Sequence, residues 1–209
     1  MPSLLSAPPQ STVLLLIPPP ASSQLPFLQL AFSVAIILFL LLEVVRLAHV
    51  APLSAHLTSL LLRFVDDRDV GTLILTHLYL LVGCGGPILL GLVYTSRDCL
   101  AHRLAPFAGL SVLGIGDAVA SIVGSNFGVC KWPRSSKTVE GTTAAFVSTF
   151  LLLRLIDGIL GHSGSAWEWV EVGMCVLLTC LLEASTSQID NLFLPIFFMA
   201  SLLIVSLPH

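Results

Sequence analysis

The residues best equipped for chemistry begin at Gly114, where an apolar stretch reads Gly114-Ile115-Gly116-Asp117-Ala118-Val119-Ala120-Ser121-Ile122-Val123-Gly124. Asp117 and Ser121 are four residues apart, so a helix places carboxylate and hydroxyl on one face, one turn apart. A carboxylate inside an apolar span costs a few kcal/mol even on a lenient insertion scale, and such groups by default serve an ion, a proton or a ligand. The plainer alternative is an Asp paired with a Lys or Arg for structure alone. Gly116, Ala120, Gly124 and Gly128 recur at four-residue spacing, leaving a smooth ridge on which a second helix can pack closely.

The segment that follows runs Ser125-Asn126-Phe127-Gly128-Val129-Cys130-Lys131-Trp132-Pro133-Arg134-Ser135-Ser136-Lys137-Thr138-Val139-Glu140-Gly141-Thr142. Glycines let a backbone approach an anion and present its N–H groups. Lys131, Arg134 and Lys137 can neutralise phosphate charge, and Thr138 can donate a hydroxyl. Glu140 can hold a divalent cation that bridges phosphates, since hard cations take oxygen ligands. A helix starting near Gly141 aims its N-terminal dipole at the same anion. No GxxxxGK[ST] occurs, so this is not a Walker A loop. An ordinary basic membrane loop would account for the three cations, but not for the Gly, Thr and Glu among them.

A third polar cluster reads Glu183-Ala184-Ser185-Thr186-Ser187-Gln188-Ile189-Asp190-Asn191. On a helix Glu183, Thr186, Ser187 and Asp190 fall along one side. Two carboxylates and two hydroxyls suit a metal or nucleotide better than lipid, with an interhelical polar network as the simpler reading. Weaker signals lie elsewhere. Asp66-Asp67-Arg68-Asp69 reads as a solvated acidic loop before it reads as a metal cluster. His77 can touch a substrate or bond a neighbouring helix. Arg154 and Asp157, three apart, are expected to pair with each other. The six histidines show no HExxH-type spacing, and the five cysteines form no CxxC pair.

The elements that must position these groups follow from composition. The 209 residues are 56% hydrophobic and 10% charged, against about 25% charged in ordinary globular chains. Too little polar material exists to cover a sphere, so lipid must serve as solvent. No basic stripe points to nucleic acid. Crossing a hydrocarbon core takes about 20 apolar residues of helix. Six stretches approach this, at 25–45, 72–94, 104–124, 142–160, 170–184 and 192–207. The predicted fold is all-α, a polytopic membrane helical bundle with about six transmembrane helices over 25–209. Residues 1–24, rich in Pro and Ser, are expected to be a disordered leader rather than a signal peptide. Trp167 and Trp169 suit a membrane interface. The first loop holds Arg46, Arg63 and Arg68 and the third Lys131, Arg134 and Lys137, whereas the last two loops hold no Lys or Arg. The positive-inside rule then turns loops one, three and five to the cytoplasm, bringing the polar segments to one surface.

Together these segments resemble the dolichol kinase family of polyprenol kinases. GIGDAVAS-IVGSNFG-VCKWPRSSKTVEGT is similar to its nucleotide-binding signature. EASTSQIDNLFLP resembles a second motif of the form E-x-x-T-x-Q-x-D-N-L-x-x-P, and FVDDRDVGTLILTHLYLLVG resembles a stretch upstream of both. The resemblance covers the C-terminal part of a family whose members are much longer. It implies a CTP-dependent kinase of the endoplasmic reticulum membrane, with its nucleotide site facing the cytoplasm, that makes dolichyl phosphate for protein glycosylation. It maps a CTP-binding segment onto Ser125, Asn126, Gly128, Lys131, Trp132, Pro133, Arg134, Ser135, Ser136, Lys137, Thr138 and Glu140. Asp117, Glu140 and Asp190 are then the expected catalytic carboxylates and Mg²⁺ ligands. Asp117 is alternatively the group that orients or deprotonates the polyprenol hydroxyl. Ser121, Glu183, Gln188, Asn191 and His77 are expected to support them.

Three rivals share such a carboxylate set or need none: a phytol kinase, a lipid cytidylyltransferase of the CDP-diacylglycerol type, and an inactive fragment or small transporter. The topology is open to direct test. Cys130 is expected to react with an impermeant thiol reagent applied to the cytosolic side of sealed microsomes. Labelling only after the lumen is opened would invert the assignment.

Overall fold

A computed structural model describes residues 25–49, 53–61, 76–94, 99–133, 135–161, 164–186 and 190–207. The expected leader, the acidic run at 66–69, Arg134, Ser187 and Gln188 lie outside them. The described chain is built of helices: α1 (Leu25–Leu47), α2 (Leu53–Leu61), α3 (Thr76–Tyr94), α4 (Leu100–Leu104), α5 (Ala118–Phe127), α6 (Val139–Ile159), α7 (Ala166–Ser185) and α8 (Asp190–Val205). A 3-10 turn at Ala105–Phe107 and a π-helical stretch at Leu110–Asp117 join α4 to α5.

Each of the six expected spans is helical over its described residues, the second from Thr76 onward. α2 falls in what the sequence presents as a loop, its nine residues being too few to register as a span. Leu25–Leu47, Leu110–Phe127 and Val139–Ile159 are long and apolar enough to cross a membrane, and His77–Gly91 and Asn191–Val205 are shorter apolar helices. α7 has 20 residues, but Glu168, Glu171 and Glu183 interrupt its apolar length. The arrangement is that of a multi-pass membrane helical bundle.

The core lies where α4, α6, α7 and α8 meet. Leu100, Leu104, Leu153, Val172, Leu194, Phe198 and Leu202 are fully buried there. α1 is the outer member, with Leu30, Val34, Ile37 and Leu41 exposed as lipid contact requires. Its buried Gln29 donates to the Ile88 carbonyl of α3 at 2.9 Å, which satisfies an amide that lipid cannot.

One end of the bundle is tied by polar contacts. Glu168 accepts from the Leu100 N–H at 3.0 Å while forming a capping box with Ser165. Asp157 pairs with Arg103 at 3.4 Å and accepts from the Gly164 N–H at 3.2 Å. The expected Arg154–Asp157 pair is therefore not made. The spacing allows such a pair, as Glu43 and Arg46 show, but each charge here meets a side chain of a neighbouring element instead. Arg154 lies over the Trp169 ring, 4.0 Å from its centroid. Trp169 is buried beneath it, edge-on to Phe150, so of the two tryptophans Trp167 alone has the exposure of an interfacial residue.

The small-residue ridge finds its partner inside the chain. A Cβ on Gly116 would sit 2.6 Å from Thr149 Oγ1 of α6, and one on Gly141 would sit 3.4 Å from the Gly124 Cα. Without a hydrophobic driving force in lipid, such close approach and its dispersion contacts hold two helices together. Gly116→Ala is therefore expected to destabilise the bundle by about 1–3 kcal/mol, the usual cost of overpacking. Gly158→Ala, where a Cβ meets nothing within 4 Å, is expected to be neutral or mildly stabilising because Ala favours helix. Thermal unfolding of both variants in one detergent checks this. Equal melting temperatures would mean that the helices do not approach so closely.

Candidate functional site: a polar cleft between α5, the hairpin and α7

The turn from α5 to α6 is a short hairpin. Gly128 ends α5, and its N–H bonds the Gly124 carbonyl at 3.1 Å. Lys131 and Thr138 then form an isolated antiparallel bridge, with the Trp132 N–H on the Lys137 carbonyl at 3.0 Å. The Val139 N–H closes the base on the Cys130 carbonyl at 2.8 Å. Thr138 caps α6, its hydroxyl accepting from the Gly141 N–H at 3.2 Å. The Trp132 indole donates to Thr142 Oγ1 at 3.0 Å, which fastens the hairpin to the first turn of α6.

This geometry opens a cleft of about 320 Å³ lined by Asp117, Ala120, Ser121, Gly124, Ser125, Ser136, Lys137, Thr138, Gly141, Thr142 and Glu183. Each of the three polar clusters found in the sequence contributes to it. Asp117 is exposed at the last residue of the π-helical stretch. One extra residue per turn there resets which side chains face the cleft, and π-helical insertions recur at functional sites. Lys137 crosses to α7, where its ammonium donates to the Glu183 carbonyl at 2.8 Å and lies 3.3 Å from the carboxylate. The first turn of α6, with its positive dipole end, forms another wall.

Of the expected nucleotide-binding residues, Ser125, Ser136, Lys137 and Thr138 line the cleft. Lys131 and Pro133 are exposed on the hairpin, and the Ser135 hydroxyl accepts from the Lys137 N–H at 3.2 Å. Asn126 turns back on its own helix, donating to the Ile122 carbonyl at 2.7 Å. Gly128 is packed against Thr138, where a Cβ would sit 2.8 Å from its hydroxyl. Glu140 is not in the cleft. Its carboxylate accepts from the Cys130 N–H at 3.0 and 3.2 Å, on a different face of α6. Asp190 begins α8. Asn191 lies where its carbonyl blocks any side chain at Gly83 of α3, and His77 stacks on Phe39 at 6.2 Å between centroids, so neither lines the cleft. Gly141 and Thr142 line it without having been singled out as site residues. Their signal was present in the Gly-Thr pair at a helix start, but a wall made by backbone leaves little trace in side-chain chemistry.

The donors bear on a metal. Of the expected set of Asp117, Glu140 and Asp190, Glu140 stands apart from the cleft that Asp117 lines, the Asp190 side chain lies outside what is described, and no group of three His, Cys, Asp or Glu residues forms a metal site among the described residues. Asp117 and Glu183 do share the cleft. One or two carboxylates suit Mg²⁺ brought in with phosphates, since that ion keeps several waters and takes phosphate oxygens.

Over 185 residues the chain is 42% identical to the dolichol kinase of Mus musculus, covering 85% of this chain and 34% of that protein. The Homo sapiens dolichol kinase is 40% identical with the same coverage. The Saccharomyces cerevisiae dolichol kinase is 34% identical, with 83% of this chain and 31% of that protein covered. No family model matches the chain, and no solved structure matches it. The chain is a homologue of the dolichol kinases and spans about a third of the length of these relatives.

Proposed function

We propose that this chain carries the nucleotide-binding region of a CTP-dependent dolichol kinase of the endoplasmic reticulum membrane, with the cleft opening to the cytoplasm. The observation that carries this reading is the meeting of Asp117, Lys137 and Glu183 beside the first turn of α6 in one cleft. Two carboxylates against one ammonium would repel a bare triphosphate, whereas a triphosphate that arrives with a divalent cation suits them. When bound, Mg²⁺ would neutralise phosphate charge, with Asp117 and Glu183 the residues fit to hold it.

Phosphoryl transfer asks a protein for placement and charge neutralisation more than for covalent help. In the proposed reaction the polyprenol oxygen forms a bond to the γ-phosphorus, the bond from that phosphorus to the β-bridging oxygen breaks, and CDP leaves. Lys137 would exchange Glu183 for phosphate oxygens, and the Thr138-capped turn would offer its N–H groups and dipole. Asp117, exposed within the apolar helix Leu110–Phe127, stands where a hydroxyl on a lipid could arrive from the bilayer. Its carboxylate can accept the proton that the hydroxyl loses. The relatives' length beyond the matched third leaves room for a polyprenol groove to come from elsewhere in a full-length enzyme.

With this segment in place of its counterpart in a full-length dolichol kinase, CTP labelled at the γ-phosphate is expected to pass label into dolichol. α-Phosphate label in lipid would indicate a cytidylyltransferase instead, and label from neither position would exclude both. In the same chimera Asp117→Asn is expected to lower turnover by about two orders of magnitude or more, as for lost positioning or metal-binding groups. A near-normal rate would remove Asp117 from the site.

A further inference from the structure

Glu140 is the carboxylate that the basic loop places closest to its own cations in sequence, yet it lies apart from the cleft. Glu140, Thr143, Ala144 and Val147 form one face of α6 and line a separate, mainly apolar groove with Cys130 and Val139. Thr138, Gly141 and Thr142 turn toward α5 and the cleft. Both carboxylate oxygens of Glu140 lie within hydrogen-bond reach of the Cys130 N–H. The Cys130 carbonyl is held by the Val139 N–H at 2.8 Å. Both backbone polar groups of Cys130 are thus tied to the first two residues of α6.

We propose that Glu140 is a positioning residue whose carboxylate clasps the base of the hairpin, so that Lys137 and Thr138 are delivered to the cleft, and that it is not a metal ligand. The Cys130 N–H is shared by both of its carboxylate oxygens, and charge-assisted bonds of this kind are the strong ones. Beside the Val139–Cys130 backbone bond, the Glu140 contact is the tie that holds the N–H side of the hairpin's entry. A single bridge pairs its two sides, and the indole of Trp132 anchors its far flank. Released from Glu140, the first residues after α5 would lose the constraint that sets the angle of the Lys137 side against α7. The importance of this clasp for nucleotide binding rests on the function proposed above, whereas its existence does not.

The test uses the whole chain in nanodiscs with two independent readouts. One is hydrogen exchange of the Cys130 amide. The other is CTP affinity measured as a function of free Mg²⁺. Glu140→Ala is expected to speed exchange at Cys130 and to weaken CTP binding by about tenfold, with the Mg²⁺ midpoint unchanged. Glu140→Gln keeps an amide oxygen that can accept the same N–H, so it is expected to recover most of both losses. A metal ligand behaves in the opposite way. Glu140→Gln would then be as weak as Glu140→Ala, and the Mg²⁺ midpoint would rise about tenfold or more in both. That pattern overturns the proposal, as does unchanged Cys130 exchange in Glu140→Ala. If the unsubstituted chain binds no CTP, the functional reading fails, and exchange at Cys130 alone decides the clasp. If Glu140→Ala does not fold, the Glu140→Gln comparison with the unsubstituted chain decides between the two roles through the Mg²⁺ midpoint.

Discussion

The contact on which the rest of the site depends is the backbone-to-backbone approach of α5 and the start of α6. Gly124, Gly141 and the Thr138 hydroxyl occupy a space in which no larger side chains fit. In lipid, helices gain nothing from hiding apolar surface, so they associate where small residues let many weak contacts form at once. This approach brings Asp117 and Ser121 of one segment beside Lys137, Thr138 and Thr142 of the next. A bulky residue on the ridge would fill the seam and also separate the two walls of the cleft.

The cleft has a built-in balance of charge. Lys137 bridges to α7 through both the carbonyl and the carboxylate of Glu183. That link attaches the hairpin to a third helix and keeps a partly buried carboxylate from standing uncompensated. It also ties substrate chemistry to packing, because a phosphate that draws Lys137 away leaves Glu183 in need of another cation. The polar ties among Leu100, Arg103, Asp157, Gly164 and Glu168 involve none of the cleft residues. They steady α4, α6 and α7 by means independent of the site.

The helical, membrane-embedded character was legible because it is a property of composition and of run length. With 10% charge over 209 residues no soluble core-and-shell arrangement is available, and the period of glycine and alanine at Gly116, Ala120, Gly124 and Gly128 already marked a packing seam. The three polar clusters were legible for a related reason. A carboxylate or a lysine in such a chain is rare enough to need a purpose, and the chain that carries them is 34–42% identical to dolichol kinases over most of its length. What the sequence by itself determined, then, was the solvent the chain lives in, the helices it forms and the segments that hold its chemistry.

Tertiary structure decided which partner each side chain takes. Sequence spacing put Arg154 with Asp157, but the neighbouring helices offered Trp169 to the first and Arg103 to the second. It put Glu140 with Asp117, but one residue of helix turns a side chain by about 100 degrees, so that Gly141 faces the cleft and Glu140 faces Cys130. It left Glu183 in a supporting role, where the fold sets it against Lys137. The physical reason is common to all three. Composition and periodicity report the energy of a residue against its solvent, whereas a hydrogen bond or an ion pair depends on angles and distances between segments far apart in the chain, which exist only after the helices have packed.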